Sequence, residues 1–171
     1  MKFLVMSDNH GQWPLVDEII KHWRPQVDYI FHCGDSEFPA DDPLWDQVDA
    51  VVTGNMDFDP QYRRQQVIET AEGNVLLVHG HLTGVNYGND ELFALAKNSN
   101  CRFVFHGHTH KLYAEVKEGI LLANPGSLNR PRGHYQGKTY LLVTIETNQV
   151  IVNYYSEDNQ PIPQLDQIFS L

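Results

Sequence analysis

The segment Phe105-His106-Gly107-His108-Thr109-His110 carries a histidine at every second position, directly after the apolar residues 103–105. In extended backbone, side chains two residues apart point to the same side. Neutral imidazole is a common protein ligand for divalent metal ions. The segment therefore predicts a strand that ends at a metal site, with a cluster of surface histidines as the alternative. An affinity tag would instead lie at a chain terminus.

Four other predicted strands also end at polar residues that can bind metal ions. They are the apolar runs at residues 2–6, 27–33, 50–53 and 74–78. Parallel strands bring their carboxyl ends to one edge of a sheet, where ligands bind, so we expect these polar residues to converge. The candidate ligands at the five strand ends are Asp8 and His10, Asp35, Asn55, His79, and His108 and His110.

The chemistry of these seven residues indicates two metal ions. Two carboxylates, one amide oxygen and four imidazoles are too many for one tetrahedral site and suit two divalent ions that share a carboxylate. Two-metal sites activate a bridging water and stabilise an in-line displacement, so hydrolysis of a phosphate ester is the predicted reaction. Taken singly, each residue has the alternative of a solvated turn position. The recurrence at five strand ends favours the metal site.

The length and composition indicate one soluble domain. The 171 residues suffice for one hydrophobic core, so we expect a single domain over residues 1–171. No apolar run approaches the roughly 20 residues that cross a bilayer, and the first run is too short for a signal peptide. Cys33 and Cys101 are expected to be reduced and buried in a cytoplasmic protein. The net charge of -10 argues against a long nucleic acid as partner.

The first part of the chain alternates predicted strands with helices, which favours a parallel sheet. Helices are expected at residues 12–23 and 89–97, the second with Asn89 as N-cap. A hairpin is expected from residues 66–70 and 74–78, because Gly-Asn favours a tight turn. Beyond Lys111 we expect a second, mostly antiparallel sheet without helices. Its strands are predicted at residues 112–117, 120–123, 139–147 and 149–155.

Five blocks of this sequence resemble a known family. Asp8-Asn9-His10, Gly34-Asp35, Gly54-Asn55, His79 and Gly107-His108-Thr109-His110 follow the order and spacing of the calcineurin-like metallophosphoesterases, whose pattern is D-x-H, G-D, G-N-H-[DE], H and G-H-x-H. The resemblance spans roughly residues 3–127. The short chain, residues 32–37 and the Asn-Pro-Gly-Ser stretch at residues 124–127 are most similar to the small YfcE-type phosphodiesterases. The resemblance implies an α/β fold, a four-layer α/β/β/α sandwich.

The resemblance also implies how the ligands divide between two metal ions. Asp35 would bridge the two ions, and Asn55 would in addition face a phosphate oxygen as a catalytic residue. Manganese is the expected metal, with nickel, iron and zinc as alternatives, because the ligand types do not choose among them. One ion would be held by Asp8, His10, Asp35 and His110, and the other by Asp35, Asn55, His79 and His108.

One block departs from the family pattern. The sequence has Met56 where the family often has a histidine that binds phosphate or donates a proton. His81, beside the ligand His79, is the candidate for another proton donor, with a purely orienting or structural role as the alternative. His106 and His32 are expected to have packing or supporting roles instead of binding metal.

These observations predict a metal-dependent phosphodiesterase that hydrolyses a small phosphodiester through a two-metal centre and a bridging hydroxide. A phosphomonoesterase or nucleotide hydrolase on the same site is the first alternative. A non-catalytic scaffold, as in the retromer subunit that resembles these enzymes, is the second. The predicted partner is a small phosphate-ester substrate, with no membrane partner, and the sequence leaves formation of a homo-oligomer open.

Overall fold

The computed structural model describes residues 1–170 of the chain, which contain two α-helices and eleven β-strands. The helices are α1 (Trp13–Trp23) and α2 (Asp90–Asn98). The strands are β1 (Lys2–Met6), β2 (Tyr29–His32), β3 (Ala50–Val51), β4 (Gln65–Ile68), β5 (Asn74–Val78), β6 (Cys101–Phe105), β7 (Tyr113–Lys117), β8 (Ile120–Asn124), β9 (Thr139–Ile145), β10 (Gln149–Ser156) and β11 (Gln167–Ser170).

The strands form two sheets. The first sheet has the order β11-β10-β9-β1-β2-β3, and the second has the order β4-β5-β6-β8-β7. β1, β2 and β3 run parallel in the first sheet, and β5, β6 and β8 run parallel in the second. Each sheet therefore gathers the carboxyl ends of several parallel strands at one edge. The predicted hairpin of β4 and β5 is confirmed.

The two sheets pack face to face, and one helix covers the outer face of each. On β1, Phe3 and Val5 face the core between the sheets, while Leu4 and Met6 face α1. Because both faces are covered, β1 is apolar throughout its buried part and does not alternate with polar residues. α2 packs on the second sheet through Leu92, Phe93 and Ala96. The predicted four-layer α/β/β/α sandwich is confirmed.

The expectation that the C-terminal strands form a sheet of their own is wrong. β9 pairs antiparallel with β1 in the first sheet, while β8 pairs parallel with β6 in the second. The reason is burial, since six of the seven β9 residues are buried and such a strand needs cover on both faces. A separate antiparallel sheet would leave one face of β9 exposed to water.

Two smaller features differ from the sequence prediction. The Asn89 side chain does not cap α2 and instead donates a hydrogen bond from Nδ2 to Glu115 Oε1 at 2.7 Å. The C-terminal segment adds the unpredicted strand β11, which pairs antiparallel with β10 at the edge of the first sheet. Its alternately half-buried and exposed residues give too weak a pattern to predict a strand.

Removal of the aromatic ring at the centre of the core between the sheets should destabilise the folded protein. The Phe3 ring lies 5.5 Å from the Phe31 and Phe103 rings, measured between centroids, and is fully buried. We expect Phe3→Ala to lower the free energy of unfolding by about 3–5 kcal/mol through lost packing and a cavity. Urea denaturation followed by circular dichroism measures this change.

The matched control is Phe58→Ala, because Phe58 is 84% exposed. The control should change the free energy of unfolding by no more than about 0.5 kcal/mol. Equal losses in the two variants would contradict the assignment of Phe3 to the core.

Candidate metal centre

The strand ends of both sheets meet in one cluster of polar side chains. All seven residues predicted to bind metal lie there, and we call them the seven-residue cluster. Asp8 and His10 follow β1, Asp35 follows β2 and Asn55 follows β3 in the first sheet; His79 follows β5, and His108 and His110 follow β6, in the second sheet. The packing of the two sheets thus brings together residues that are 100 positions apart in the chain, such as His10 and His110.

One half of the cluster consists of Asp8, His10, Asp35 and His110. Each offers one ligand atom, and these four atoms all lie within 4.8 Å of one another. His110 Nε2 lies 3.1 Å from Asp8 Oδ1 and 3.3 Å from His10 Nε2. The four side chains could therefore contact one ion of ordinary size at the same time.

The other half consists of Asn55, His79 and His108, next to the same Asp35. His79 Nε2 lies 3.2 Å from Asn55 Oδ1 and 3.3 Å from Asp35 Oδ2. His108 Nδ1 lies 2.9 Å from Asn55 Oδ1. Asp35 Oδ2 also lies 3.9 Å from His10 Nε2, so this carboxylate adjoins both halves.

Five residues of the cluster have a strained backbone. Asp8, His10, Asp35, His108 and His110 have positive φ angles, between 43° and 68°. Non-glycine residues in this left-handed region are uncommon, and such strain concentrates at functional sites. Each of these turns directs a side chain into the cluster, where a continuing strand would carry it away.

Two glycines of the motifs are needed for close packing. A Cβ atom at Gly54 would overlap the Asp35 carboxylate, and one at Gly107 would overlap Ser7 Oγ and the Asp8 carboxylate. The bare backbone therefore lets neighbouring loops approach the two acidic ligands directly.

Hydrogen bonds fix the orientation of three imidazoles. The Nδ1 atom of His79 lies 2.7 Å from Cys33 O, and that of His110 lies 2.7 Å from Arg130 O. The Nδ1 atom of His10 lies 2.8 Å from Glu37 Oε1. Because all three partners only accept hydrogen bonds, Nδ1 carries the proton in each neutral imidazole, and the Nε2 lone pair faces the cluster. This arrangement is typical of histidines that bind metal.

The cluster leaves polar atoms that a metal ion would satisfy. Asp8 Oδ1 is buried and faces His110 Nε2 at 3.1 Å; that nitrogen has no proton to donate while the imidazole is neutral, so the oxygen then has no hydrogen-bond partner among the described residues. When both imidazoles are neutral, the Nε2 atoms of His10 and His110 point lone pairs at each other across 3.3 Å. This approach is unfavourable unless a cation lies between the two atoms. Nitrogen and oxygen ligands of this kind suit a divalent ion, and the residues therefore fit the metal that the motif implies.

The carboxylates of the cluster are held ionised. Burial alone would raise the pKa of Asp35, but its contacts with His79 and the Met56 N–H outweigh burial and lower that pKa to about 2. The pKa of the fully buried Asp8 is lowered for the same reason, by His110 and His79. In turn these carboxylates raise the pKa of His79 and of His110 against the opposing effect of burial. The negative charge of the two aspartates is available to a cation at neutral pH.

A second set of side chains supports the cluster from behind. Asp57 accepts hydrogen bonds from the N–H groups of Asp35 at 2.8 Å, Glu37 at 2.7 Å and Gly54 at 2.7 Å. It joins the loops after β2 and β3, which agrees with a local structural role. The Ser127 hydroxyl donates to Asp8 O at 2.8 Å and so ties the segment after β8 to the loop after β1.

His32 and His106 support the cluster and do not enter it. His32 is buried, and its Nε2 lies 2.7 Å from Asn9 Oδ1, between the two ligands of the first block. His106 is buried against Gly107 O, with Nδ1 at 3.0 Å, and its Nε2 contacts the Tyr113 hydroxyl. Burial lowers the pKa of each imidazole to about 4, so both are neutral. The packing role predicted for both is confirmed.

His81 lies at the rim of the cluster. Its ring centroid is 5.3 Å from that of His79 and 6.1 Å from that of His108. Its Nδ1 is buried and has no hydrogen-bond partner within residues 1–170. Burial, followed by the charges of His79 and His108, lowers the pKa of His81.

Two residues next to the ligands were not predicted. Glu37 binds His10 Nδ1, and Asn86 Nδ2 lies 3.2 Å from His108 Nε2. The sequence does give a signal for Glu37, because this residue stands two positions after Asp35 in the same turn. Asn86 lies in the loop between β5 and α2, which carries no motif, so only the fold could place it beside His108.

Comparisons with known proteins agree with this geometry. A family model described as the calcineurin-like phosphoesterase superfamily domain matches residues 1–148. The chain belongs to this superfamily. Membership places it among the hydrolases that act on phosphoric ester bonds and, together with the cluster, indicates that it binds divalent metal. The predicted family is confirmed.

Individual members of the superfamily are similar over the whole chain. The probable metallophosphoesterase YsnB of Bacillus subtilis (strain 168) is 30% identical over 171 residues, which cover 100% of both proteins. The crystal structure of a conserved uncharacterised protein of Streptococcus pneumoniae TIGR4, a predicted phosphoesterase, is 35% identical with a TM-score of 0.96, covering 99% of this chain and 97% of that chain.

The resemblance to YfcE-type proteins extends to the fold. The phosphoesterase YfcE of E. coli is 19% identical with a TM-score of 0.66, and the likeness covers 99% of each chain. At this identity the similarity concerns the fold alone. Within residues 1–170, no helix is long and apolar enough to cross a membrane.

The raised pKa values predict that metal binding releases protons. Near pH 6.5 a fraction of His79 and His110 is protonated because their carboxylate neighbours raise both pKa values. A metal ion must displace these protons, so its affinity should rise with pH until both imidazoles are neutral. Calorimetric titration of Mn²⁺ at pH 6.5, in two buffers of different ionisation enthalpy, measures the protons released.

At pH 8.5 the release should be smaller than at pH 6.5. Binding heats that are the same in both buffers at pH 6.5 would contradict protonated histidines at the metal site.

Proposed function

We propose that the seven-residue cluster binds two divalent metal ions and hydrolyses a small phosphodiester. The observation that carries this proposal is the position of Asp35 Oδ2, 3.9 Å from His10 Nε2 in one half and 3.3 Å from His79 Nε2 in the other. A carboxylate between two groups of nitrogen ligands is suited to bridge two ions. Superfamily membership supports the proposal independently.

The residues divide as the motif implies. Asp8, His10 and His110 hold one ion with Asp35, and Asn55, His79 and His108 hold the other with Asp35. Asn55 is exposed, so the same residue can contact a substrate phosphate while its Oδ1 faces His79 and His108. We propose manganese as the metal, with nickel, iron and zinc as alternatives, because a set of imidazole, carboxylate and amide ligands accepts all four.

The bound ions would supply Lewis-acid activation of water and of the phosphate. The chain itself supplies the geometry. Hydrogen bonds at Nδ1 fix the imidazoles of His10, His79 and His110. The Met56 N–H fixes Asp35 at 2.7 Å, and the protein encloses Asp8. Such pre-organisation means that little reorganisation is needed when the substrate binds.

His81 is proposed to contact an ester oxygen of the substrate. Met56 has no proton to donate, and its side chain is partly exposed beside the cluster. The lowered pKa of His81 keeps its imidazole neutral near pH 7, so a hydrogen bond to the substrate is favoured over transfer of a proton.

The remaining proposals concern the protein as a whole. The two cysteines are free and buried, which supports a reducing compartment such as the cytoplasm. The shared core between the sheets, built from strands of both the N-terminal and C-terminal parts, supports one domain over residues 1–171. The complete set of seven ligands favours an enzyme over a non-catalytic scaffold.

Removal of either a bridging or a terminal ligand should abolish the activity. We expect Asp35→Ala and His108→Ala each to lower hydrolysis of bis(4-nitrophenyl) phosphate by at least about a thousandfold, since metal stabilisation contributes several kcal/mol. Metal content, measured by mass spectrometry, should fall in both variants.

His22→Ala is the matched control, because His22 lies exposed on α1. It should retain full activity and metal content. Wild-type activity in both ligand variants would overturn the assignment. A comparison with 4-nitrophenyl phosphate separates the diesterase from a monoesterase.

Replacement of His81 should have a smaller effect. We expect His81→Gln to lower kcat by about tenfold, the value of one hydrogen bond, with unchanged metal content. The factor should be similar for a nitrophenyl and a phenyl leaving group. A loss of about a hundredfold or more, larger for the poorer leaving group, would show that His81 is instead the general acid.

A further inference from the structure

A cavity of about 330 Å³ opens beside the seven-residue cluster, between the start of β4 and the end of β5. Its wall is mainly apolar. Its lining residues include Arg64, Val78, His79, His81, Leu82 and Thr83. Its size is near the lower end for small-molecule sites, which suits one ring-sized group better than a whole large ligand.

The cavity is continuous with the metal centre through His79. The Nε2 atom of this residue faces Asp35 and Asn55, while the residue also lines the cavity. His81 lines the cavity and stands beside His79 and His108. A phosphate held at the cluster would therefore have one ester substituent directed at this cavity.

Leu82 has an exposed apolar side chain at the cavity. It is 59% exposed, although Val78 on the same wall is buried. Leu82 and Val78 together give the cavity an apolar wall next to the polar cluster, which is the usual make-up of a small-molecule site. Water forms few hydrogen bonds with such a wall. An apolar substituent that displaces this water would therefore bind favourably.

Arg64 is the residue of the cavity that would favour an aromatic substituent over an aliphatic one. The ion pairs of lysine and arginine within residues 1–170 involve Lys21, Arg24, Lys97, Lys117 and Lys138. Arg64 is not among them, although the protein carries a net charge of -10. Arg64 is exposed, lines the cavity and forms no ion pair within residues 1–170, so its guanidinium plane is suited to stack on an aromatic ring bound there.

We propose that this cavity binds an aromatic ester substituent of the phosphodiester substrate, packed against Val78 and Leu82 and stacked on Arg64. The proposal rests on the proposed function, because the cluster must hold the phosphate. It identifies Arg64 and Leu82 as specificity-determining residues and the substrate class as aryl or comparably planar phosphodiesters.

Binding of three phosphonates tests the proposal without relying on activity. Calorimetry of the Mn²⁺-loaded protein with methyl-, cyclohexyl- and phenylphosphonate compares groups that differ only in the substituent. We expect phenylphosphonate to bind at least about tenfold more tightly than methylphosphonate, from its buried apolar surface. It should also bind about threefold more tightly than cyclohexylphosphonate, from stacking on Arg64.

The variants separate the two contributions. Arg64→Met keeps an extended stem and should remove the preference for phenyl over cyclohexyl, while Leu82→Ala should weaken both ring ligands relative to methylphosphonate. Arg63→Met is the matched control, because the neighbouring Arg63 is also exposed but does not line the cavity. Equal affinities for all three phosphonates, no detectable binding, or an equal effect of the Arg63 and Arg64 variants would overturn the proposal.

Failure of the subsite and failure of the proposed function give different results. A protein that hydrolyses bis(4-nitrophenyl) phosphate but binds the three phosphonates equally is a diesterase without this subsite. A protein that prefers phenylphosphonate through Arg64 but hydrolyses no diester has the subsite without the proposed activity.

Discussion

The fixed position of the Asp35 carboxylate is the constraint on which the rest of the site depends. The backbone N–H of Asp35 donates a hydrogen bond to Asp57 Oδ2 at 2.8 Å. The side-chain oxygen Oδ1 of Asp35 accepts a hydrogen bond from the Met56 N–H at 2.7 Å. Only Oδ2 is left to face His10 and His79. Because one oxygen is held by the protein and the other adjoins both halves of the seven-residue cluster, this side chain connects the two halves.

The fold supplies the remaining geometry through the contact between its two sheets. Aromatic packing around Phe3 fixes how the sheets align, and this alignment sets the carboxyl ends of β1, β2 and β3 opposite those of β5 and β6. The five strained ligand residues stand at these ends. Left-handed backbone at a non-glycine residue costs about 1–3 kcal/mol each, so the surrounding core must offset a substantial unfavourable free energy. The hydrogen bonds that Asp57 accepts and the one that Ser127 donates hold the loops in place at the same points.

The sequence predicts which polar residues lie together, because each follows an apolar strand, and it predicts long-range strand pairing less well. A polar residue after an apolar strand is visible in the chain, so all seven candidate ligands could be named from the sequence, and their side chains lie together in the fold. The division of β8 and β9 between the two sheets was missed, since a run of buried residues does not specify its partner strand. Asn86 was missed because its loop has no motif. His106 shares the two-residue spacing of His108 and His110, and only the fold shows that its ring is turned toward Tyr113.

We propose that one chain holds two metal ions bridged by Asp35. Anomalous X-ray diffraction from crystals grown with Mn²⁺, measured at the manganese absorption edge, tests it most directly. We expect two anomalous peaks about 3.5–4 Å apart, one on each side of the Asp35 carboxylate. The first should be surrounded by Asp8, His10 and His110, and the second by Asn55, His79 and His108. A single peak within the cluster, or two peaks that do not share Asp35, would show that Asp35 does not bridge two ions.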